Sequence, residues 1–140
     1  KPLVCVSFCR EDFKVSLDEQ KEILDNLQQN DILAICSGDS IDNSIKCIEL
    51  ANTNKNVFAT VGIHPHEAKT FNDDTIQQLK ELVKNKKVVA IGEIGLDYYY
   101  DFSPKDVQIK VLKDSFSYID VVTMYIRWIK EDTLKSYSQN

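Results

Sequence analysis

The chain has 140 residues, 43% of them hydrophobic, 9% aromatic and 28% charged, and its 17 basic and 22 acidic side chains give a formal net charge of −5. Such a composition is too apolar for a disordered segment and lacks the ~18 consecutive apolar residues of a membrane span, which leaves one globular domain with a sizeable core. The mild acidity speaks against a sequence-independent grip on phosphate backbones by Lys and Arg, although metal ions at a site can carry the positive charge instead.

The first apolar run is Leu3 to Phe8, a candidate strand. Ser16 followed three residues later by Glu19 forms a capping box and opens a helix whose core stripe is expected to be Leu17, Ile23, Leu24 and Leu27. Ile32 to Cys36 reads as a buried strand and Ser37 to Ser40 as a turn. Ile41, Ile45 and Ile48 then carry a helix to about Asn52.

Val57 to Ile63 is the third strand, and Asn72 or Asp73 caps a helix with the stripe Ile76, Leu79, Leu82 and Val83. Val88 to Ile94 is the fourth strand. After a tyrosine-rich loop, Ser103 is placed as an N-cap with Pro104 at the first helical position. Ser117 to Ile129 is densely apolar and rich in strand formers, which suggests a fifth strand, and Lys130 to Asn140 reads as a polar, fraying tail.

Four β-α repeats with continuous apolar strands predict an α/β fold, a parallel sheet covered by helices. Either half of a (βα)8 barrel or a small open doubly wound sheet satisfies this pattern. Cys5, Cys9, Cys36 and Cys47 form no CxxC pair, which points to a reduced intracellular compartment, cytoplasmic or nuclear. No secretory signal is read in Lys1 to Arg10, and a chain opening on Lys is expected to have ends set by a fragment or by its preparation.

Both histidines lie at the end of the third strand, in Val61-Gly62-Ile63-His64-Pro65-His66. Residues two apart on an extended segment point the same way, so His64 and His66 are expected to reach one site at the strand's C-terminal end, where parallel α/β folds bind ligands. The end of the fourth strand carries Gly92-Glu93-Ile94-Gly95-Leu96-Asp97, in which a Glu within an apolar strand calls for a partner or a metal. Blander readings stand beside these: structural or solvent-facing histidines, an ion pair of Glu93 with Arg10, Lys86 or Lys87, and a packed aromatic loop over Asp97 to Asp101 in place of an exposed, base-stacking one. Gly92 to Gly95 is not a phosphate-binding P-loop.

The run Val61 to Ala68, the run Val89 to Tyr98, Phe102-Ser103-Pro104 and Gln108 resemble the TatD family of metal-dependent deoxyribonucleases, most closely over Asp31 to Gln108. The resemblance implies a (βα)8 barrel of the amidohydrolase-like superfamily, hydrolysis of DNA phosphodiesters, and one or two divalent ions, Mg²⁺, Mn²⁺ or Zn²⁺. It also implies that Glu93 is a metal ligand, that Glu93 and His64 are catalytic, and that His64 lies near the scissile phosphate as part of the substrate site. His66 and Asp97 would shape or support the substrate site. The chain departs from the family in lacking a His-x-His pair in Leu3 to Cys9 and the later ligand-bearing strands, so a single partial domain over 1–140, truncated or divergent, with the first four βα units is expected. Two other functions compete: a non-catalytic remnant acting as a binding or structural piece, and an amidohydrolase-type enzyme acting on a small ester or lactone. Unpaired strand edges, together with Val121 to Trp128, predict self-association.

Overall fold

The apolar runs up to residue 91 become strands of a parallel sheet in the computed structural model, which describes residues 1–6, 15–100 and 102–116. In chain order the elements are β1 (Leu3–Val6), α1 (Leu17–Gln29), β2 (Leu33–Ser37), α2 (Ile41–Thr53), β3 (Val57–Val61), a 3₁₀ segment (Pro65–Thr70), α3 (Asp73–Leu82), β4 (Val88–Ile91) and α4 (Lys105–Phe116). The sheet order is β1-β2-β3-β4 with every neighbouring pair parallel. Doubly wound sheets reverse direction at a switch point, whereas barrel strands follow one another in sequence. The unreversed order therefore decides for the barrel alternative.

The core sits between the sheet and its helices. Ala34 and Cys36 of β2 and Val57, Ala59 and Val61 of β3 are buried, covered by Cys47, Ile48 and Ala51 of α2, Leu79 of α3, Val83 just beyond it and Val111 of α4. The expected stripe of α3 packs as read, behind an Asn72 cap whose side chain accepts from the Thr75 N–H. The capping box of α1 is also present, with Ser16 Oγ accepting from the Glu19 N–H and Glu19 Oε2 accepting from the Ser16 N–H.

Two expected stripes are corrected. Leu17 is 83% exposed and Ile23 lies at the surface, while Leu27 is buried and Leu24 packs partly against the core. The Ile32 N–H bonds the Leu27 carbonyl, so a short connection ties the C-terminal half of α1 to β2 and leaves its first turn facing outward. On α2, Ile45 is exposed, and the buried face comprises Asn43, Ser44, Cys47, Ile48 and Ala51. Small and hydrogen-bonded residues let this helix close on β3: Ser44 Oγ takes the Gly62 N–H, and Asn43 Nδ2 donates to Asp39 Oδ1 at 2.6 Å.

Ser103 does not cap α4. The Gln108 N–H reaches the Pro104 carbonyl, which puts the helix start one residue later than expected. The Ser103 hydroxyl instead accepts the Lys69 N–H and donates to the His66 carbonyl, holding the 3₁₀ segment against the loop before α4. The expected fifth strand, the polar tail, the end of the first run at Ser7 and Phe8, Cys9, Arg10 and Asp101 lie outside the described residues.

Leu79→Ala should lower stability by about 2–5 kcal/mol, because a fully buried leucine loses both its transfer energy and its packing partners. Leu17→Ala should change it by less than about 0.5 kcal/mol. Urea denaturation midpoints of the two variants check the contrast, and equal losses would contradict the burial assigned to α1.

Candidate functional site at the carboxyl edge of the sheet

Beyond the strand ends, three loops are bound to one another through backbone groups. The Gly38 N–H donates to the Thr60 carbonyl (3.1 Å), the His64 N–H to Asp39 O (2.8 Å), the Gly92 N–H to Val61 O (2.9 Å) and the Glu93 N–H to Gly38 O (2.6 Å). A Cβ on Gly62 would stand 2.8 Å from the Gly92 carbonyl carbon, and one on Gly38 2.9 Å from the Thr60 carbonyl oxygen. Close backbone approach thus requires glycine at both positions, and it gathers the loops after β2, β3 and β4.

The strands stop at Val61 and Ile91, so neither the histidines nor Glu93 stand on extended strand as expected. Pro65, with its fixed φ, starts the 3₁₀ turn, and His64 caps it. The turn still brings the imidazoles together, in a T-shaped contact with centroids 4.4 Å apart.

Their hydrogen bonds fix opposite roles for the two rings. His64 Nδ1 accepts the His66 backbone N–H at 3.2 Å, so the proton of a neutral His64 resides on Nε2. His66 Nε2 meets Asp97 Oδ2 at 2.6 Å, and an ionised carboxylate only accepts, so the proton of a neutral His66 is on Nε2 and its Nδ1 keeps a lone pair. The hydrogen bond from His66 holds the Asp97 carboxyl below the usual carboxylate range, and the Tyr100 and Tyr99 N–H groups, bonded to its Oδ1, add to this. The aromatic loop divides: Phe102 and Tyr100 set ring edges against His66, whereas Tyr99 is 88% exposed.

Glu93 and His64 line one recess of about 430 Å³, with Gly92, Leu96 and Asp97. On its other side His64 borders a second cleft of about 940 Å³ that runs past His66 to Asp39, Lys46 and Lys69. The Glu93 carboxylate is exposed and has no hydrogen bond or salt bridge among the described residues. The alternative ion pairs do not form with either lysine. Lys87 directs Nζ to the carbonyls of Asn54, Lys55 and Val57, at the opposite end of the sheet, and burial pushes its pKa down. Lys86 lies at that same end of β4.

Among the described residues no three His, Cys, Asp or Glu side chains converge as a metal-binding group, and His66 Nε2 is committed to Asp97. Among these residues Glu93 is one open carboxylate rather than part of a closed ligand set. Sequence reasoning missed the contact of Gln108 with the site, where its side chain bonds the backbone of Asp97 and Ser103. Its signal was a polar residue on the helix face that also carries Val111 and Ser115, and this face is buried.

Residues 9–118 match the family model described as TatD related DNase. Over 70 residues the chain is 40% identical to an uncharacterized metal-dependent hydrolase, YabD, of Bacillus subtilis, the match covering 50% of this chain and 28% of the relative. Over 67 residues it is 40% identical to the 3'-5' ssDNA/RNA exonuclease TatD of Cronobacter sakazakii, covering 48% and 26%. The chain thus spans little more than a quarter of these relatives' length. The crystal structure of YjjV, a TatD homolog from Escherichia coli K12, superposes with a TM-score of 0.71 at 24% identity, over 86% of this chain and 48% of that one. An uncharacterized amidohydrolase from Saccharomyces cerevisiae does so with a TM-score of 0.64 at 21% identity, over 84% and 44%. No helix among the described residues is long and apolar enough to cross a membrane.

Asp97→Asn tests the His66 contact through pH. Because the folded carboxyl titrates below its ordinary value of 3.8, its stabilisation is fully present well above that pH and is lost as pH falls through the folded value. The gap in urea midpoint between wild type and Asp97→Asn should hold constant near neutrality and close in acid. A gap that persists unchanged into acid would contradict the assignment.

Proposed function

The chain belongs to the TatD related DNase family, and on that premise we propose that it forms part of a metal-dependent hydrolase that cleaves DNA phosphodiester bonds. One observation carries this reading: the carboxylate of Glu93, which has no partner among the described residues, and the His64 ring line a single recess at the carboxyl edge of a parallel sheet. In this reading Glu93 is a carboxylate ligand of a divalent cation, Mg²⁺, Mn²⁺ or Zn²⁺, whose remaining ligands come from outside the described residues. Metal-assisted hydrolysis needs several such ligands together with open positions for water and phosphate oxygen.

The roles of this chain's own side chains follow from their protons. His64 presents Nε2–H, a donor suited to a non-bridging phosphate oxygen. His66 presents the lone pair of Nδ1 and accepts a hydrogen bond from substrate or water, while Asp97 holds its other nitrogen. The nuclease names among the relatives support a nucleic acid as substrate. A second reading, a fold remnant that binds without catalysis, is favoured by the lack of a converging group of three donors among the described residues.

Calorimetry with Mg²⁺, Mn²⁺ and Zn²⁺ should show weak binding that Glu93→Ala abolishes, since the variant loses both a charge and a ligand. Unchanged binding would remove Glu93 from its role. Labelled single- and double-stranded DNA should be cut slowly at most, in a chelator-sensitive manner, with His64→Ala inactive. Binding without any cleavage would select the second reading, and turnover of small esters or lactones in place of DNA would move the substrate class.

Self-association is proposed as well. Among the described strands β1 and β4 each have one unpaired side, and Leu3 and Val4 of β1 are exposed. Val121 to Trp128, the other expected culprit, lies outside the described residues. Sedimentation over a concentration series should show a mass that rises with concentration; a monomer throughout would overturn this.

A further inference from the structure

A buried glutamine on α4 ties together two points of the loop between β4 and α4 through three hydrogen bonds of its side chain. Gln108 is 1% exposed, and its Oε1 accepts the Asp97 backbone N–H at 2.8 Å. Its Nε2 donates to the Asp97 carbonyl at 3.0 Å and to the Ser103 carbonyl at 2.7 Å. One amide thus clamps both backbone groups of Asp97, the residue whose carboxylate grips His66. The same amide fixes Ser103, whose fully buried hydroxyl donates to the His66 carbonyl at 2.8 Å. Both partners of the His66–Asp97 pair therefore hang on one side chain, one directly and one through a single intermediate.

We propose that Gln108 is a positioning residue that sets the tautomer of His66, keeping its Nε2–H on Asp97 and its Nδ1 unprotonated. The proposal deepens the functional reading above, since it concerns the same site. Its physical basis is the rigidity of a planar amide with three satisfied hydrogen bonds in a dry environment. Such a network specifies one geometry, and an apolar replacement leaves the Asp97 N–H and two carbonyls without partners. An Asp97 freed from this clamp rotates about its backbone, and the 2.6 Å contact with His66 is lost before any strand is disturbed. Gln108 touches neither Glu93 nor His64, so the effect is confined to one of the two rings.

The chain contains only two histidines, so ring ¹⁵N spectra hold two spin systems, told apart by a His66→Gln variant. In the wild-type protein, at a pH where both rings are neutral, both should show Nε2 protonated and Nδ1 bare. In Gln108→Met, which keeps the volume and deletes all three bonds, the His66 signals should collapse to an average of the two tautomers while His64 stays as it was. The Asp97 amide should exchange with solvent about tenfold faster, as expected for the loss of one hydrogen bond. Ser103→Ala, which cuts the arm to the His66 carbonyl together with the bond from the Lys69 N–H and leaves the three bonds of Gln108 in place, is the second variant should Gln108→Met not fold, and it should shift His66 partway. An unchanged His66 tautomer in either folded variant overturns the proposal. Because the readout needs neither metal nor DNA, it decides on Gln108 whether or not the chain proves to be a nuclease.

Discussion

Two backbones that meet without a side chain between them hold the site together. Gly62 and Gly92 follow β3 and β4, and a methyl group on Gly62 would fall within 2.8 Å of the Gly92 carbonyl carbon. Parallel strands normally diverge into separate loops at their carboxyl ends. Here the Gly92 N–H reaches back to the Val61 carbonyl and the Glu93 N–H crosses to Gly38, so the loops after β2, β3 and β4 are tied over one another. Any Cβ at Gly62 must push β4 outward, and Glu93 moves with it. Catalytic geometry tolerates displacements well below an ångström, so this contact limits everything built on it.

Above that backbone layer, the polar groups divide into those that are tied down and one that is not. His64 Nδ1, His66 Nε2, both oxygens of Asp97, the Gln108 amide and the Ser103 hydroxyl all have named partners. Two adjacent imidazoles of opposite hydrogen-bond character result, with Nδ1 of His64 accepting from a backbone N–H and Nε2 of His66 donating to a carboxylate. Neither role follows from the residue type. Each is dictated by the partner at that nitrogen, a backbone N–H at a helix cap in one case and a carboxylate in the other.

The sequence carried the repeat architecture because its strands read as unbroken apolar runs, and because Ser16 and Asn72 are local caps that depend on nothing distant. It carried His64, His66, Glu93 and Asp97 as a neighbourhood for the same reason: parallel topology sends successive strand ends to one edge. It misplaced Leu17 and Ile45, since helical periodicity gives a spacing but not the angle at which tertiary contacts select a face. On α2 the selected face contains Asn43 and Ser44, polar residues that hydropathy assigns to solvent. Ser103 and Gln108 were illegible in role because their partners are 37 and 11 residues away. A serine before a proline reads locally as a cap, and only the fold shows its hydroxyl turned to the His66 carbonyl.

The same division separates stability from function along the site. Asp97, Ser103 and Gln108 stabilise the fold at the site, because each satisfies backbone groups that would otherwise be left unpaired. The Glu93 side chain does not. Its carboxylate is exposed, its backbone N–H already bonds Gly38, and among the described residues nothing leans on its side chain. A solvated carboxylate costs the fold almost nothing to keep and would cost it almost nothing to lose. Folding therefore gives no reason for an acidic side chain at that point, between two glycines and at the rim of a recess shared with His64. What remains is a negative charge held in place by a rigid backbone and, among the described residues, without a counter-ion, and this is the observation on which the proposed cation-ligand role rests.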